Sequence, residues 1–217
     1  MQDPSDRIID IHAPFYTLLT SPTRYFESRR GHLGWFRVIL LVAIGEAILA
    51  YIEAPYTILL PEYAALFAHK TVVQIATLKA QEHLAAPVGA FYNVGISLLI
   101  TTVFLWLLAR AFSVRVSFRN VLTVVAHASV VALVGAALAT LASVITGHAV
   151  TDCLSLGMFA RAGSRAQSVF GAVSVFNLWM LWVEIAGLAA IAGLTLRRAA
   201  GPVVICWLLL LLMSAGL

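Results

Sequence analysis

The chain has 217 residues, of which 61% are hydrophobic and only 11% are charged. An average soluble domain carries about 25% charged residues, so this chain has too few to cover a water-facing surface, and its solvent must be largely lipid. The net charge of +4 does not indicate a nucleic-acid partner. The basic residues lie at the ends of apolar runs, where anionic lipid headgroups attract them.

The first 34 residues predict an amphipathic segment at the cytoplasmic membrane surface. The stretch "IIDIHAPFYTLLTSPTRYF" mixes apolar and aromatic residues with polar ones, and Pro14 and Pro22 bracket a short helix. Aromatic side chains with flanking arginines suit the membrane interface. We expect no signal peptide, because no charged start, short apolar core and cleavage site follow one another. We therefore divide the chain into an interfacial segment over 1–34 and a membrane domain over 35–217.

Five apolar runs are long enough to cross a bilayer, which takes roughly 20 residues of α-helix. They lie at 35–59, 86–109, 120–146, 169–196 and 201–217. Residues 62–84 predict an amphipathic helix on the outer side, since polar side chains repeat there at helical spacing: Lys70, Gln74, Thr77 and Gln81. The expected fold is all-α, a polytopic membrane bundle of about five transmembrane helices with short interfacial amphipathic helices.

Basic residues between the runs predict the orientation. Ten of the 14 Lys and Arg residues lie before or at the start of the first run, between the second and third, or between the fourth and fifth. The remaining four lie on the opposite side: Lys70, Lys79, Arg161 and Arg165. Positive charge is retained in the cytoplasm. We therefore expect a cytoplasmic N-terminus and an external C-terminus, in a bacterial inner membrane.

Six polar side chains inside the predicted spans are the candidate site residues: Glu46, Glu53, Asn93, His127, Asn177 and Glu184. An ionisable residue in hydrocarbon costs roughly 2.5–3.5 kcal/mol on insertion scales, so it tends to face the bundle interior. The helical rise places Glu46 and Glu184 near the midplane and His127 in the inner half. We expect the six side chains to converge on one interior seam, where His127 is the only counter-charge.

Glu184 allows two main interpretations. As a structural acid it would keep its proton and form hydrogen bonds inside the bundle, because burial disfavours the charged carboxylate. As an exchanging acid it would couple proton movement to transport. A catalytic role is the least favoured, because it requires an acid–base pair beside a nucleophile.

Cofactor and metal motifs do not emerge from the sequence. It contains no Walker loop, no HExxH and no GxSxG pattern. Its six histidines are scattered, and Cys153 and Cys206 have neither paired nor metal-binding spacing. We therefore expect no metal, no cofactor and no disulfide.

Small residues recur at four-residue steps in the third run, in two series: Ala128, Ala132 and Ala136, and Gly135, Ala139 and Ser143. Such spacing lets another helix approach closely. That helix can belong to the same chain or to a second copy, and the sequence leaves both readings open.

The fourth run, "FNLWMLWVEIAGLAAIAGLTLRRA", resembles the fourth-span pattern of the Yip family of integral membrane proteins. The matching positions are Phe176, Trp179, Gly187, Arg197, Arg198 and Ala199. The stretches "FSVRVSFRNVLTVVAHAS" and "LLTSPTRYFE" resemble the family's approaches to its third and first spans. The acidic "DLYGP" motif of the eukaryotic branch is absent. The resemblance implies a prokaryotic-type, five-span Yip domain over 35–217.

These observations favour a non-enzymatic membrane protein of the Yip type that organises the membrane, acts as a scaffold or binds a partner. The expected partners are membrane lipids, another membrane protein or a second copy of the chain. The alternative is a small proton-coupled transporter or channel that uses the intramembrane Glu, His and Asn residues. An enzyme acting on lipid is the least favoured reading.

Overall fold

The computed structural model describes residues 16–29, 34–58, 60, 67–68, 70–150, 154–159, 170–171 and 173–214. The named helices are α1 (Tyr16–Thr20), α2 (Pro22–Ser28), α3 (Trp35–Thr57), α4 (Val72–Ala111), α5 (Phe118–Thr146), α6 (Val175–Ala192) and α7 (Leu196–Ser214). Within the described ranges, β pairing is limited to one isolated bridge between Ser155 and Ser174. The all-α prediction is confirmed.

Helices α3 to α7 are each long and apolar enough to cross a membrane, which confirms the five predicted spans. The fourth span is shorter than the apolar run at 169–196, and local capping explains its ends. Ser174 accepts a hydrogen bond from the backbone N–H of Asn177 at the start of α6. Gly193, at a φ of 66°, follows its last residue. A left-handed residue after a helix is usually glycine, because a Cβ disfavours positive φ.

The predicted separation of a surface helix from the second span is wrong. Residues 72–84 are the first turns of α4, which continues through the second span. Thr71 and Gln74 form a reciprocal capping box that starts the helix. Pro87 removes one backbone hydrogen bond without ending the helix. Helix α4 packs against α3, and the ring centroids of Tyr51 and His83 lie 4.2 Å apart one turn before Pro87.

Helix α4 is unusually long for a membrane span. Its 40 residues give a length of about 60 Å, against about 40–45 Å for a bilayer with its headgroups. The helix therefore projects beyond the membrane or tilts strongly within it.

The spans pack as an interlocked bundle. Helix α3 contacts α4 and α5, α5 also contacts α4 and α6, and α7 contacts α4 and α6. One core cluster contains buried residues from each of the helices α4, α5, α6 and α7, among them Leu105, Val121, Leu188 and Val203. The α4–α5 and α6–α7 connections meet at one end of the bundle, where Phe112 lies against Gly201.

Helices α1 and α2 pack against the bundle rather than standing apart from it. Leu18, Tyr25 and Phe26 are buried in the second core cluster. The indole Nε1 of Trp179 on α6 donates a hydrogen bond of 3.2 Å to the backbone carbonyl of Leu19. Residues 1–15 and 30–33, which include most of the predicted interfacial segment, lie outside the described residues.

The small residues of the third span contact helices of the same chain. A Cβ built on Gly135 would lie 2.7 Å from Cγ of Phe176 on α6. Ala128 is fully buried, and so is Ser143, which donates a hydrogen bond to the Glu53 carboxyl of α3 at 3.3 Å. These contacts favour the intramolecular reading of the four-residue spacing.

Candidate functional site

A cavity of about 320 Å³ lies among helices α3, α4, α5 and α6; we call it the four-helix cavity. Its polar lining residues are Glu46, Asn93, Ser97, Thr101, Ser129 and Glu184. The other lining residues are apolar and include Val42, Leu98 and Met180. The cavity therefore brings together three of the six candidate residues predicted from the sequence, and two of those three carry carboxyl groups.

Glu184 is the most deeply buried acid of this cavity, with 6% of its surface exposed. Within the part of the chain that the structure describes, no hydrogen bond reaches its carboxyl group. The helical rise places it about 12 Å from the end of α6 at Ala192. Glu184 is thus a buried acid that borders the cavity.

The other two candidate residues that line the cavity are Glu46 on α3 and Asn93 on α4. Glu46 is half-buried and lies about 16 Å from the start of α3 at Trp35. Asn93 of α4 is exposed and borders the cavity. Two carboxyl groups from non-adjacent parts of the sequence therefore reach one cavity near the middle of the bundle.

Two of the three described hydroxyl groups that line the cavity, those of Ser97 and Ser129, already donate hydrogen bonds to backbone carbonyls. Ser97 donates to the backbone carbonyl of Asn93 at 2.6 Å, and Ser129 donates to the carbonyl of Ala126 at 2.8 Å. Both oxygens keep lone pairs that can accept hydrogen bonds. Sequence reasoning missed Ser97, although its four-residue spacing from Asn93 places it on the same helix face.

His127 does not join the cavity. It is 2% exposed, and its Nδ1 lies 2.7 Å from the backbone carbonyl of Thr123. Its ring contacts Tyr25 and Phe26 of α2, with ring centroids 5.7 and 5.8 Å away. Burial raises the pKa of the Tyr25 hydroxyl, and the nearby Arg29 opposes that shift. His127 thus anchors α2, and the expected histidine counter-charge is not among the residues that line the cavity.

Glu53 and Asn177 also lie apart from the cavity. Glu53 accepts its hydrogen bond from Ser143 on α5, one heptad beyond Glu46. Asn177 lies in the first turn of α6, where its backbone N–H donates to Ser174 at 3.0 Å. The six candidate residues therefore do not form the single interior seam expected from the sequence. Three of them line the cavity, and His127, Glu53 and Asn177 each lie elsewhere.

A second feature is the exposed surface of α4 formed by Ala85, Gly89, Asn93 and Ser97, which we call the α4 face. All four residues are exposed and follow one another at four-residue steps. A Cβ on Gly89 would meet no described atom within 4 Å. The side-chain amide of Asn93 has no hydrogen bond to any described residue. An unsatisfied polar group in hydrocarbon costs several kcal/mol, so this amide calls for a partner.

Metal-ligand groupings are absent from the described residues: no three His, Cys, Asp or Glu side chains cluster there. Cys206 is buried as a free thiol. Cys153, the other cysteine, lies outside the described residues.

The comparisons with known proteins agree with the fold. The Yip1 domain model matches residues 16–217, nearly the whole chain. No curated protein matches the chain, and neither does any solved structure. The match spans all five transmembrane helices as well as α1 and α2. The chain is therefore an integral membrane protein of the Yip1 domain family.

Proposed function

We propose that this protein is a non-enzymatic membrane-organising protein that binds a transmembrane helix of another membrane protein or of a second copy. The α4 face is the proposed contact surface. The observation that carries the proposal is the Asn93 amide, which is exposed within a membrane span and has no hydrogen bond to a described residue.

The residues around Asn93 suit close helix contact. Ala85, Gly89 and Ser97 are small, and small residues at four-residue steps let two helix backbones approach within a membrane. An amide at such a contact can form hydrogen bonds between the two helices. In model peptides such hydrogen bonds contribute about 1–2 kcal/mol to helix association. The space over Gly89 is open in the single chain. A second helix on this surface would satisfy Asn93 and fill that space.

We place the protein in a bacterial inner membrane with its N-terminus in the cytoplasm. The support is the distribution of basic residues, ten of 14 of which lie on the N-terminal side of the membrane in this arrangement. Phe112, Arg197, Arg198 and Gly201 would then lie at the cytoplasmic end of the bundle.

Photo-crosslinking in cells tests the contact surface. The photoreactive residue p-benzoylphenylalanine replaces Tyr92, which is 65% exposed beside Asn93 and is itself aromatic. We expect a crosslink to a polypeptide, either a second copy or another membrane protein that mass spectrometry then identifies. Gly89→Leu should abolish that crosslink by obstructing the approach of the second helix.

A matched position on another span provides the control. Leu208 on α7 is also exposed, and the same photoreactive residue there should yield mainly lipid adducts. Gly89→Leu should leave the melting temperature of the protein unchanged, since a Cβ at this position meets no described atom within 4 Å. Lipid adducts alone at both positions would contradict the proposal.

Transport is the second candidate function, and the four-helix cavity is the observation that favours it. Glu46 and Glu184 line this cavity within the bundle, so a proton-coupled solute would meet both acids. His127 faces α2 instead, so the proton route would use the two carboxyl groups alone. The test is pH-dependent solute flux in proteoliposomes. Flux that Glu184→Gln abolishes while stability is retained would support transport, and absence of flux at every pH would remove it.

A further inference from the structure

The lining of the four-helix cavity is rich in hydrogen-bond acceptors. The carboxyl oxygens of Glu46 and Glu184 face a space that Ser97 and Ser129 also border. Both serine hydroxyls already donate to backbone carbonyls, so they offer lone pairs to the cavity. Among the side chains of the described lining residues, the Asn93 amide carries the N–H donors and the Thr101 hydroxyl adds one O–H donor, against the several acceptor oxygens of the two acids and two serines. A ligand that supplies donors would therefore complement this lining.

The cavity also lacks a positive charge. No Lys, Arg or His is among the described residues that line it. Glu184 is more than nine-tenths buried, and no described residue forms a hydrogen bond with its carboxyl group. Buried polar groups are nearly always hydrogen-bonded, so an unpartnered buried acid beside a cavity indicates a missing ligand or solvent partner.

The size and the walls of the cavity favour an organic cation over a bare metal ion. Its volume of about 320 Å³ falls within the range of about 300–1,000 Å³ typical of small-molecule pockets. Val42, Leu98 and Met180 provide apolar walls. A divalent metal would demand several oxygen ligands in a defined geometry, and no group of three metal-ligating side chains occurs in the described residues.

We propose that the four-helix cavity binds a small organic ammonium compound. The ammonium group would lie between the Glu46 and Glu184 carboxyl groups and donate hydrogen bonds to them. The apolar body of the ligand would contact Val42, Leu98 and Met180. The cavity shares Asn93 and Ser97 with the α4 face, but its two acids lie on α3 and α6, so the site does not require a second helix on the α4 face.

Calorimetric titration of the full chain in phosphatidylcholine nanodiscs tests the site. The probe is 2-phenylethylammonium, and its neutral isostere 2-phenylethanol has the same apolar body without the charge. We expect binding of the amine and at least tenfold weaker binding of the alcohol. Glu184→Gln and Glu46→Gln should each weaken amine binding at least tenfold, because each removes a negative charge from the cavity.

Glu53→Gln is the matched control, because Glu53 lies on the same helix as Glu46 and outside the cavity lining. It should leave amine affinity within twofold of wild type. Equal binding of amine and alcohol would overturn the proposal, as would equal losses in the Glu53 and Glu46 variants. If Glu184→Gln fails to fold, the amine affinity of the Glu46→Gln variant tests the proposal, because Glu46 is only half-buried. Gly89→Leu should not change amine affinity. A failure of the proposal that the α4 face binds a helix can therefore be distinguished from a failure of the amine site.

A lipid headgroup can present the same ammonium group as a free amine. A second titration distinguishes these two sources of the ligand. The titration is repeated in nanodiscs that contain phosphatidylethanolamine. Weakened amine binding there would assign the site to the lipid headgroup, whereas unchanged binding would assign it to a free amine. Absence of amine binding in both kinds of nanodisc would overturn the proposal.

Discussion

The ring of Phe26 on α2 lies directly against Gly187 on α6. A Cβ built on Gly187 would lie 2.8 Å from Cε2 of Phe26 and 2.9 Å from Cγ1 of Val124. Phe26 is fully buried, and its ring also contacts that of His127, with ring centroids 5.8 Å apart. The absence of a side chain at Gly187 therefore allows α2 to dock onto the transmembrane bundle.

Gly187→Ala should destabilise the protein by roughly 1–3 kcal/mol, the usual cost of overpacking a filled core. The new methyl group would overlap both Phe26 and Val124, and the buried ring has little room to move. Unfolding by a denaturing detergent in mixed micelles measures the change. Gly95→Ala is the control, because a Cβ there meets no atom within 4 Å. Equal stability of the two variants would show that α2 does not dock at Gly187.

Gly135→Leu should likewise lower stability by roughly 1–3 kcal/mol through its clash with Phe176. Truncation of the neighbour provides a specific check: Phe176→Ala should reduce the cost of Gly135→Leu, because it removes the obstructing ring. A double-mutant cycle on melting curves in detergent measures this coupling. An unchanged melting profile for Gly135→Leu would indicate that this face of α5 looks toward lipid.

Replacement of Glu184 separates a structural acid from a functional one. Neither Glu184→Gln nor Glu184→Leu would remove a hydrogen bond to a described residue. Both variants should therefore keep the wild-type free energy of unfolding within about 1 kcal/mol. A buried polar group left without its hydrogen-bond partner would cost more, about 1–3 kcal/mol. Thermal unfolding in detergent checks this. A large loss in the Leu variant alone would reveal a hydrogen-bond partner of structural importance.

The orientation of the protein can be tested with fusions to a reporter that is active only in the cytoplasm. Ten of 14 basic residues lie on the N-terminal side in the proposed arrangement. A fusion after Arg198 should therefore be active, and a fusion after Leu217 should be silent. Activity after Leu217 would contradict an odd number of membrane crossings.

The spans and the depth of the two acids were accessible from the sequence for simple reasons. Apolar runs of sufficient length mark spanning helices, and a fixed rise per residue gives the depth of Glu46 and Glu184. Glu46 and Glu184, which lie at similar depth, line the same cavity. The start of α4 was not predicted: Thr71 and Gln74 form a reciprocal capping box there, and the helix continues through Pro87.

The position of His127 could not be predicted, because depth does not fix the rotation of a helix about its axis. Helix α5 is buried on all sides in its N-terminal half, from Thr123 to Val131. A helix that is apolar all round has no periodicity to show which neighbour each residue faces. His127 therefore turned toward α2, while Ser129, two residues on, faces the cavity.

Native mass spectrometry of the protein released from its own lipid tests the central claim most directly, since it detects what occupies the α4 face. The account predicts a complex of this chain with a second polypeptide, and its dissociation in the Gly89→Leu variant with melting temperature unchanged. A wild-type protein released only as a single chain with bound lipid would contradict the account.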